Sequence, residues 1–467
     1  MIMREMKDSG ISWVGEIPTN WTIGRIGGLY SLRNQKVSDK DYEPLSVTMK
    51  GVLPQLETAA KTNDGDNRKL VRKGDFAINS RSDRRGSCGI ADRDGSVSLI
   101  NTILKPRNQM NARYYNWLFH TPMFADEFYK WGHGIVDDLW STNWEEMKKI
   151  QIPFPPLAEQ QRIAELLDRE CGKIDGLKAD IQAQIDTLEQ YKRSVITKAV
   201  THGLNPSAPM KDSGIPWVGQ FPTHWTKKKG KYILRYMSKP VKQDDGVITC
   251  FRDGEVTLRS NRREDGFTMA DKEIGYQGVD VGDLVVHGMD GFAGAIGISD
   301  SRGKASPVLN VLNTKQNKKY IMYYLRSMAY GEVFTALSTG IRVRSCDLRW
   351  NKLAELLYPL PPIDEQNNIV NYIDEQIART NEIIADTQAQ IDTLEQYKRS
   401  VITEAVTHGL NPSAPMKDSG IPWVGQFPTH WTKKKGKYIL RYMSKPVIRA
   451  YSTGTPLPGE CRRIAVK

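Results

Sequence analysis

The chain has 467 residues and a mass of 52.9 kDa, which is too long for one ordinary domain. Its 39% apolar and 26% charged residues are typical of globular proteins, and no apolar run is long enough to span a membrane. The first residues lack the apolar core of a signal peptide, and the five scattered cysteines form no CxxC pair. We therefore expect a cytoplasmic protein without a zinc site or a disulfide framework.

The net charge of +12 is unevenly distributed along the chain. It is +3 for 1–154, −1 for 155–205, +7 for 206–360, −6 for 361–411 and +9 for 412–467. A basic block favours a polyanionic partner, whereas an acidic block is a poor surface for phosphate. Ordinary solvated charge would give the same totals, so charge alone leaves both interpretations open.

An internal repeat organises the sequence. Residues 182–241 recur at 388–447 with one difference, in which Lys198 becomes Glu404. More loosely, 155–168 matches 361–374 and 6–22 matches 210–226. A two-fold period near 205 residues indicates tandem duplication of whole domains rather than a solenoid. The third start, at 412–467, repeats the opening of the second block and then breaks off, which predicts a partial repeat with an irregular tail.

The two large blocks, 6–154 and 210–360, have the pattern of α/β domains. Short β-branched runs such as GDFAINS and GDLVVHGM lie between turns rich in Gly, Asp and Asn. Each block then has a predicted helical stretch, ARYYNWLFHTPMFADEFYKW in the first and NKKYIMYYLRSMAYGEVFTAL in the second. We therefore expect two similar mixed α/β domains.

The segments 155–205 and 361–411 predict two long helices. Apolar residues recur at spacings of three, four and seven, each segment follows a proline-rich junction, and both end at THGLNP with glycine as the C-cap. This periodicity is typical of a coiled-coil seam. The predicted seam consists of Leu167, Ile174, Ile181, Leu188, Val195, Ile373, Ile377, Ile384, Ile391 and Val401, and Leu177 follows the same pattern.

Sequence motifs for catalysis are missing. There is no GxxxxGK[ST], HExxH or GxSxG motif, and the seven histidines have no metal-ligand spacing. The absence of these motifs favours a binding protein, so we assign no catalytic and no metal-binding residue.

Several of these motifs together resemble one family. The IPTNW opening, the blocks GDFAIN and GDLVVH, the junction PLPPIDEQ and the helix end IDTLEQYKRSVITKAVTHGL are similar to HsdS, the DNA-specificity subunit of type I restriction-modification systems. The resemblance covers about 6–411 and occurs twice in the same order. It implies that 6–154 and 210–360 are target recognition domains, each reading half of a bipartite site in double-stranded DNA. It also implies that the two helices pack as an antiparallel coiled coil with pseudo-two-fold symmetry.

The resemblance further implies partners that carry the chemistry. Two methyltransferase subunits would use S-adenosylmethionine, two restriction subunits would use ATP and Mg, and this chain would hold no cofactor. Outward helix positions such as Gln160 and Glu189 could contact the methyltransferase or face solvent, and the sequence does not separate the two, so we assign no individual contact there. Two alternatives stay open: a recognition-dead product of cassette shuffling, and the specificity region of a fused restriction-methylation enzyme.

Candidate DNA-binding residues lie in short polar segments of both blocks. Arginine pairs well with guanine edges and phosphates, although each segment is also consistent with an exposed turn. KKKGK recurs in the tail, so it favours non-specific phosphate attraction over base reading. The candidates are Arg81, Arg84 and Arg85 in the first block, and Arg259, Arg262, Arg263, His287, Asp290, Arg342, Arg344, Lys227, Lys228 and Lys229 in the second.

Overall fold

The computed structural model describes residues 5–55, 65–81, 84–107, 110–134, 140–262, 274–337 and 348–409. It also describes the backbone of two short strands, Met416–Asp418 and Gln426–Pro428. The chain divides into two compact units, of which the first comprises 1–165 with 402–467 and the second comprises 166–401. Each unit therefore combines one predicted domain with part of the long helices.

The first unit contains short antiparallel strands and short helices. The elements are β1 Met6–Asp8, β2 Glu16–Pro18, β3 Thr22–Arg25, α1 Ile26–Leu29, β4 Tyr30–Arg33, β5 Lys36–Val37, β6 Leu45–Thr48, β7 Gly51–Pro54, β8 Arg68–Val71, β9 Phe76–Asn79, β10 Cys88–Ile90, β11 Gly95–Val97, β12 Asn101–Pro106, α2 Ala112–Phe119, α3 Pro122–Lys130, α4 Trp144–Met147 and β13 Gln151–Phe154. The central four-stranded sheet has the order β10-β9-β12-β4, and a second sheet has the order β11-β8-β5.

The second unit repeats this plan. The elements are β14 Met210–Asp212, β15 Gln220–Pro222, β16 Thr226–Lys229, β17 Leu234–Tyr236, β18 Ile248–Cys250, β19 Val256–Leu258, β20 Gln277–Val279, β21 Leu284–His287, β22 Ile296–Ile298, β23 Gly303–Ala305, β24 Leu309–Thr314, α6 Lys318–Tyr330, α7 Val333–Ala336, α8 Trp350–Glu355 and β25 Leu357–Leu360. The four-stranded sheet has the order β22-β21-β24-β17, which matches β10-β9-β12-β4 of the first unit strand for strand. The mixed α/β class predicted for both blocks is confirmed.

Aromatic side chains form much of each core. In the first unit, Phe119 packs against Phe124 with ring centroids 4.5 Å apart and against Phe76 at 5.0 Å. In the second, Tyr324 and Tyr358 pack at 5.4 Å, and both rings are fully buried. Large rings bury much apolar area, which compensates for the shortness of the surrounding strands.

The two segments that follow the domains are single helices of 46 residues, α5 Leu157–His202 and α9 Ile363–His408. Of the predicted seam residues, Leu167, Ile174 and Ile373 are buried. The other predicted seam residues are half-buried, namely Ile181, Leu188, Val195, Ile377, Ile384, Ile391 and Val401. Leu177 also follows the spacing of the seam but is 52% exposed, so the expectation that it lies in the seam was wrong.

Within the second unit, α5 and α9 contact each other through polar side chains. Lys398 donates to Asp175 at 2.6 Å, and Lys178 pairs with Glu395. The Tyr191 hydroxyl lies 3.5 Å from Gln376. As residue number rises along α5, the number of its partner falls along α9, so the helices run in opposite directions along this stretch.

The start of each long helix is joined to its own domain by buried amides. In the first unit, Gln160 accepts a hydrogen bond from the backbone N–H of Asn111 at 2.9 Å and donates to the Pro155 carbonyl at 2.8 Å. In the second, Gln366 accepts from the N–H of Asn317 at 3.0 Å. Gln160 is only 6% exposed. Its assignment as an outward position was wrong, because it pairs with the N-cap of α2.

The end of each long helix contacts a tyrosine in its unit. The Tyr114 hydroxyl donates to the Val406 carbonyl at 2.9 Å, and the Tyr320 hydroxyl donates to the Val200 carbonyl at 3.2 Å. The first domain thus holds the end of the second helix, whereas the second domain holds the end of the first. In the described part of the chain, no helix is both long and apolar enough to cross a membrane.

Candidate nucleic-acid interface

A β-hairpin of the first unit carries the arginine cluster predicted there. Strands β9 and β10 pair with Ile78 opposite Cys88, and the connection between them contains Arg81, Arg84 and Arg85. Arg81 is half-buried, whereas Arg84 and Arg85 are exposed. Gly, Ser and Asp in this connection favour a turn, which places two guanidinium groups at the surface.

Arg85 is oriented by two neighbours on α3. Its guanidinium pairs with Asp126 at 3.0 Å, and its central carbon lies 4.0 Å from the centroid of the Tyr129 ring. Both members of the ion pair are about half exposed, so the pair is weak and can be exchanged for a stronger anion. The aromatic contact would hold the guanidinium plane while a phosphate or base replaces the carboxylate.

The equivalent hairpin of the second unit, between β21 and β22, borders an open cleft of about 680 Å³. Four residues predicted from two separate segments line this cleft together, namely Arg259, Arg262, His287 and Asp290. Their proximity was not predictable from local sequence patterns, because β18 and β19 bring the arginines to the hairpin across about thirty residues of chain.

His287 is fixed in one tautomer by the turn that follows it. Its Nδ1 accepts hydrogen bonds from the backbone N–H groups of Met289 at 3.2 Å and Asp290 at 3.0 Å. A neutral ring with an accepting Nδ1 carries its proton on Nε2. Burial lowers the pKa of His287, the Asp290 carboxylate opposes this shift, and Arg252 adds to it. The ring therefore offers an Nε2–H donor in the cleft at neutral pH.

The arginines of the cleft are also held in place. Arg262 pairs with Asp253 at 2.6 Å and Glu255 at 3.0 Å, and its guanidinium carbon lies 4.2 Å from the centroid of the Phe251 ring. Arg252 pairs with Asp290 at 2.9 Å. Sequence reasoning missed Phe251 and Arg252. The run CFRDGE, in which an aromatic residue adjoins a basic one, was the available signal.

The lysine run Lys227, Lys228 and Lys229 forms strand β16, which is exposed along its length and pairs with β25. Lys227 donates to the Ser213 carbonyl. Hydrogen bonds from Lys229 and Lys231 lower the pKa of Glu355 to about 2. Part of the positive charge of this lysine run is therefore neutralised by Glu355 of the same unit. Three other candidates, Arg263, Arg342 and Arg344, lie outside the described residues.

The donors and acceptors of these hairpins suit base edges and phosphates better than they suit covalent chemistry. Among the described residues, no group of three or more His, Cys, Asp and Glu side chains is placed to hold a metal ion. Burial raises the pKa of Cys171 to about 11 and that of Cys250 to about 12. Both thiols therefore stay protonated at neutral pH and are poor nucleophiles.

Comparisons with known proteins agree on one family. A model described as the type I restriction modification DNA specificity domain matches residues 18–187. The chain is 25% identical over 233 residues to the type I restriction enzyme MjaVIII specificity subunit of Methanocaldococcus jannaschii, covering 48% of this chain and 51% of that protein. It is 21% identical over 271 residues to the type I restriction enzyme StySPI specificity subunit of Salmonella potsdam, covering 55% and 57%. The alignments thus span little more than half the length of these relatives.

One solved structure also shares the fold. It is described as "Structural basis underlying complex assembly and conformational transition of the type I R-M system". It aligns with a TM-score of 0.59 at 12% identity, covering 84% of this chain and 99% of that chain.

Proposed function

We propose that this chain, which carries the type I restriction modification DNA specificity domain over 18–187, is the non-catalytic subunit that selects the DNA sequence for such a system. Its partners would be two methyltransferase subunits using S-adenosylmethionine and two restriction subunits using ATP and Mg. The chain itself would supply binding and placement only.

The observation that carries this proposal is the pair of hairpins. Both four-stranded sheets have the same strand order, yet the connections at β9–β10 and β21–β22 carry different polar groups. One connection displays Arg84 and Arg85, whereas the other places His287 beside Asp290. A shared framework with unlike recognition groups supports a bipartite target whose two half-sites differ.

The long helices would act as the spacer between the half-sites. Opposed side-chain pairs such as Asp175–Lys398 support an antiparallel arrangement, and a seam of Leu and Ile would complete a coiled coil. We propose that the two domains are related by a pseudo-two-fold axis through this spacer. The matched contacts Tyr114–Val406 and Tyr320–Val200 support that symmetry.

The test is to map modified adenines by long-read sequencing in cells that express this chain with its methyltransferase and no other system. A bipartite motif with unlike halves is the expected result, and it would supply the target and the gap together. If a stable complex purifies but no adenine is modified, the chain is instead a recognition-dead product of cassette shuffling.

A further inference from the structure

The sequence at the start of each domain, 6–21 and 210–225, occurs a third time at 416–431, and this third copy has a matching site in the first unit. In that unit, residues 6–21 form the β1–β2 hairpin and then bury Trp21, whose indole N–H donates to Glu159 at 3.0 Å. The backbone of 416–418 and 426–428 forms the same hairpin, with Met416 opposite Pro428 as Met6 lies opposite Pro18. The two hairpins thus share one register.

The apolar positions that seat the N-terminal segment recur in this copy. The side chains buried by residues 6–21 are Ile11, Trp13, Val14, Ile17 and Trp21. The residues at the matching positions of the copy are Ile421, Trp423, Val424, Phe427 and Trp431. Only the change from Ile to Phe alters the volume at a fully buried position, and overpacking of this kind costs about 1–3 kcal/mol.

The second unit shows how the sequence of residues 416–431 binds the start of a long helix when it stands at the start of a domain. Residues 210–225 are identical to 416–431. There, Trp225 donates to one oxygen of Glu365 at 3.1 Å, and His224 lies 2.7 Å from the other oxygen. Glu159 is the counterpart of Glu365, so His430 and Trp431 are suited to bind it in the same way.

The connection from the preceding helix also fits. In the second unit, α5 ends on Tyr320, and the backbone of Gly203 lies close enough to Trp225 that a Cβ added there would be 3.1 Å from its ring. The linker 203–209 then leads into 210–225. In the first unit, α9 ends on Tyr114, whose ring packs edge-on against Trp21 at 6.3 Å. The identical linker 409–415 leads from there into 416–431.

We propose that residues 416–431 are an alternative N-terminal segment of the first domain, able to replace residues 6–21 against Glu159, Tyr114 and Phe124. In the native segment, Trp21 contacts the first two of these and Trp13 packs against Phe124 with ring centroids 5.9 Å apart. Residues 6–21 lead directly into residue 22 of the first unit, and residues 416–431 follow the end of α9 in the same unit, so the two segments compete as covalently linked parts of one chain. The native segment keeps the advantage because Ile17 fits its pocket, and the copy occupies the site when residues 6–21 are removed.

The exchange stops before strand β3. Gly24 lies under the ring of Phe154, and a Cβ added at this glycine would be 2.6 Å from that ring. The copy has Lys434 at the matching position, whereas in the second unit Lys228 is tolerated because Leu360 stands in place of Phe154. Residues from 22 onward must therefore be kept in any test.

The test compares three forms of the chain that start at residue 22: one running to residue 467, one of the same length with Trp431→Ala, and one ending after residue 409. Thermal unfolding and hydrogen exchange of 416–431 are the readouts, and Trp431→Ala in the intact chain is the control. We expect the first form to unfold cooperatively, with protection of 416–431 at least tenfold above that in the intact chain, and the other two to lose the folded first domain. Equal damage in all three forms, or no gain of protection in 416–431, would overturn the proposal.

Discussion

The Tyr114 hydroxyl donates a hydrogen bond of 2.9 Å to the Val406 carbonyl, although 292 positions separate the two residues. Both groups are buried. This bond ties the first domain to the end of the last long helix, and Tyr320 makes the corresponding bond to Val200 in the second unit.

Replacing Tyr114 with phenylalanine should destabilise the first unit by about 1 kcal/mol, because the buried Val406 carbonyl loses its tyrosine donor. Thermal unfolding should then begin a few degrees lower. Tyr191→Phe is the matched control, since the Tyr191 ring is 48% exposed and its hydroxyl makes only a 3.5 Å contact. Equal melting curves for the two variants would show that the Tyr114 bond contributes nothing.

Lengthening both long helices should widen the gap between half-sites. One heptad adds about 10.5 Å of helix, close to three base pairs at 3.4 Å each. The insertions belong at 182–188 and 382–388, because the pairs Lys178–Glu395 and Tyr191–Gln376 place these stretches side by side. The methylated motif should keep both half-sites and gain about three unspecified base pairs. An unchanged gap would refute the spacer role.

His287→Ala should weaken binding to the cognate site by about three- to tenfold, since a single hydrogen bond is worth about 0.5–1.5 kcal/mol. The change should relax one half-site of the methylated motif and leave the other unaltered. Lys228→Ala is the comparison: it should weaken binding to every sequence and reduce the salt dependence by about one phosphate contact. Relaxation of both half-sites by His287→Ala would contradict separate reading by the two domains.

Stability should depend on pH through His287. Because burial lowers the pKa of this histidine, the folded state favours the neutral ring. The contribution of His287 to the free energy of unfolding is therefore complete above the pKa of the unfolded state, about 6.5, and is lost as the pH falls below that value toward the lower pKa of the folded state. Urea unfolding between pH 8 and pH 5 should show a steeper loss of stability for the native chain than for His287→Gln. Parallel curves would exclude His287 as the titrating group.

Local patterns in the sequence predicted the repeat, both long helices and the mixed α/β domains, because periodicity and proline junctions are encoded over short spans. Contacts between distant segments were not predictable in this way. Gln160 follows the helical pattern as an outward residue, but the first domain covers it. The backbone N–H of Asn111, 49 positions earlier in the chain, donates a hydrogen bond to its side chain. Arg252 was missed because its importance depends on Asp290, which only the folded hairpin brings within 2.9 Å.

The contact between Gly24 and Phe154 has a consequence for the evolution of this gene. A crossover that joins the β16 strand of the second half to the β13 strand of the first would set lysine under the Phe154 ring and create a steric clash. The reciprocal combination would pair Gly24 of the first half with Leu360 of the second and leave empty space between the two strands instead. Recombinants that inherit both strands from the same parent avoid this displacement of Phe154, which favours crossovers outside the paired strands β3–β13 and β16–β25.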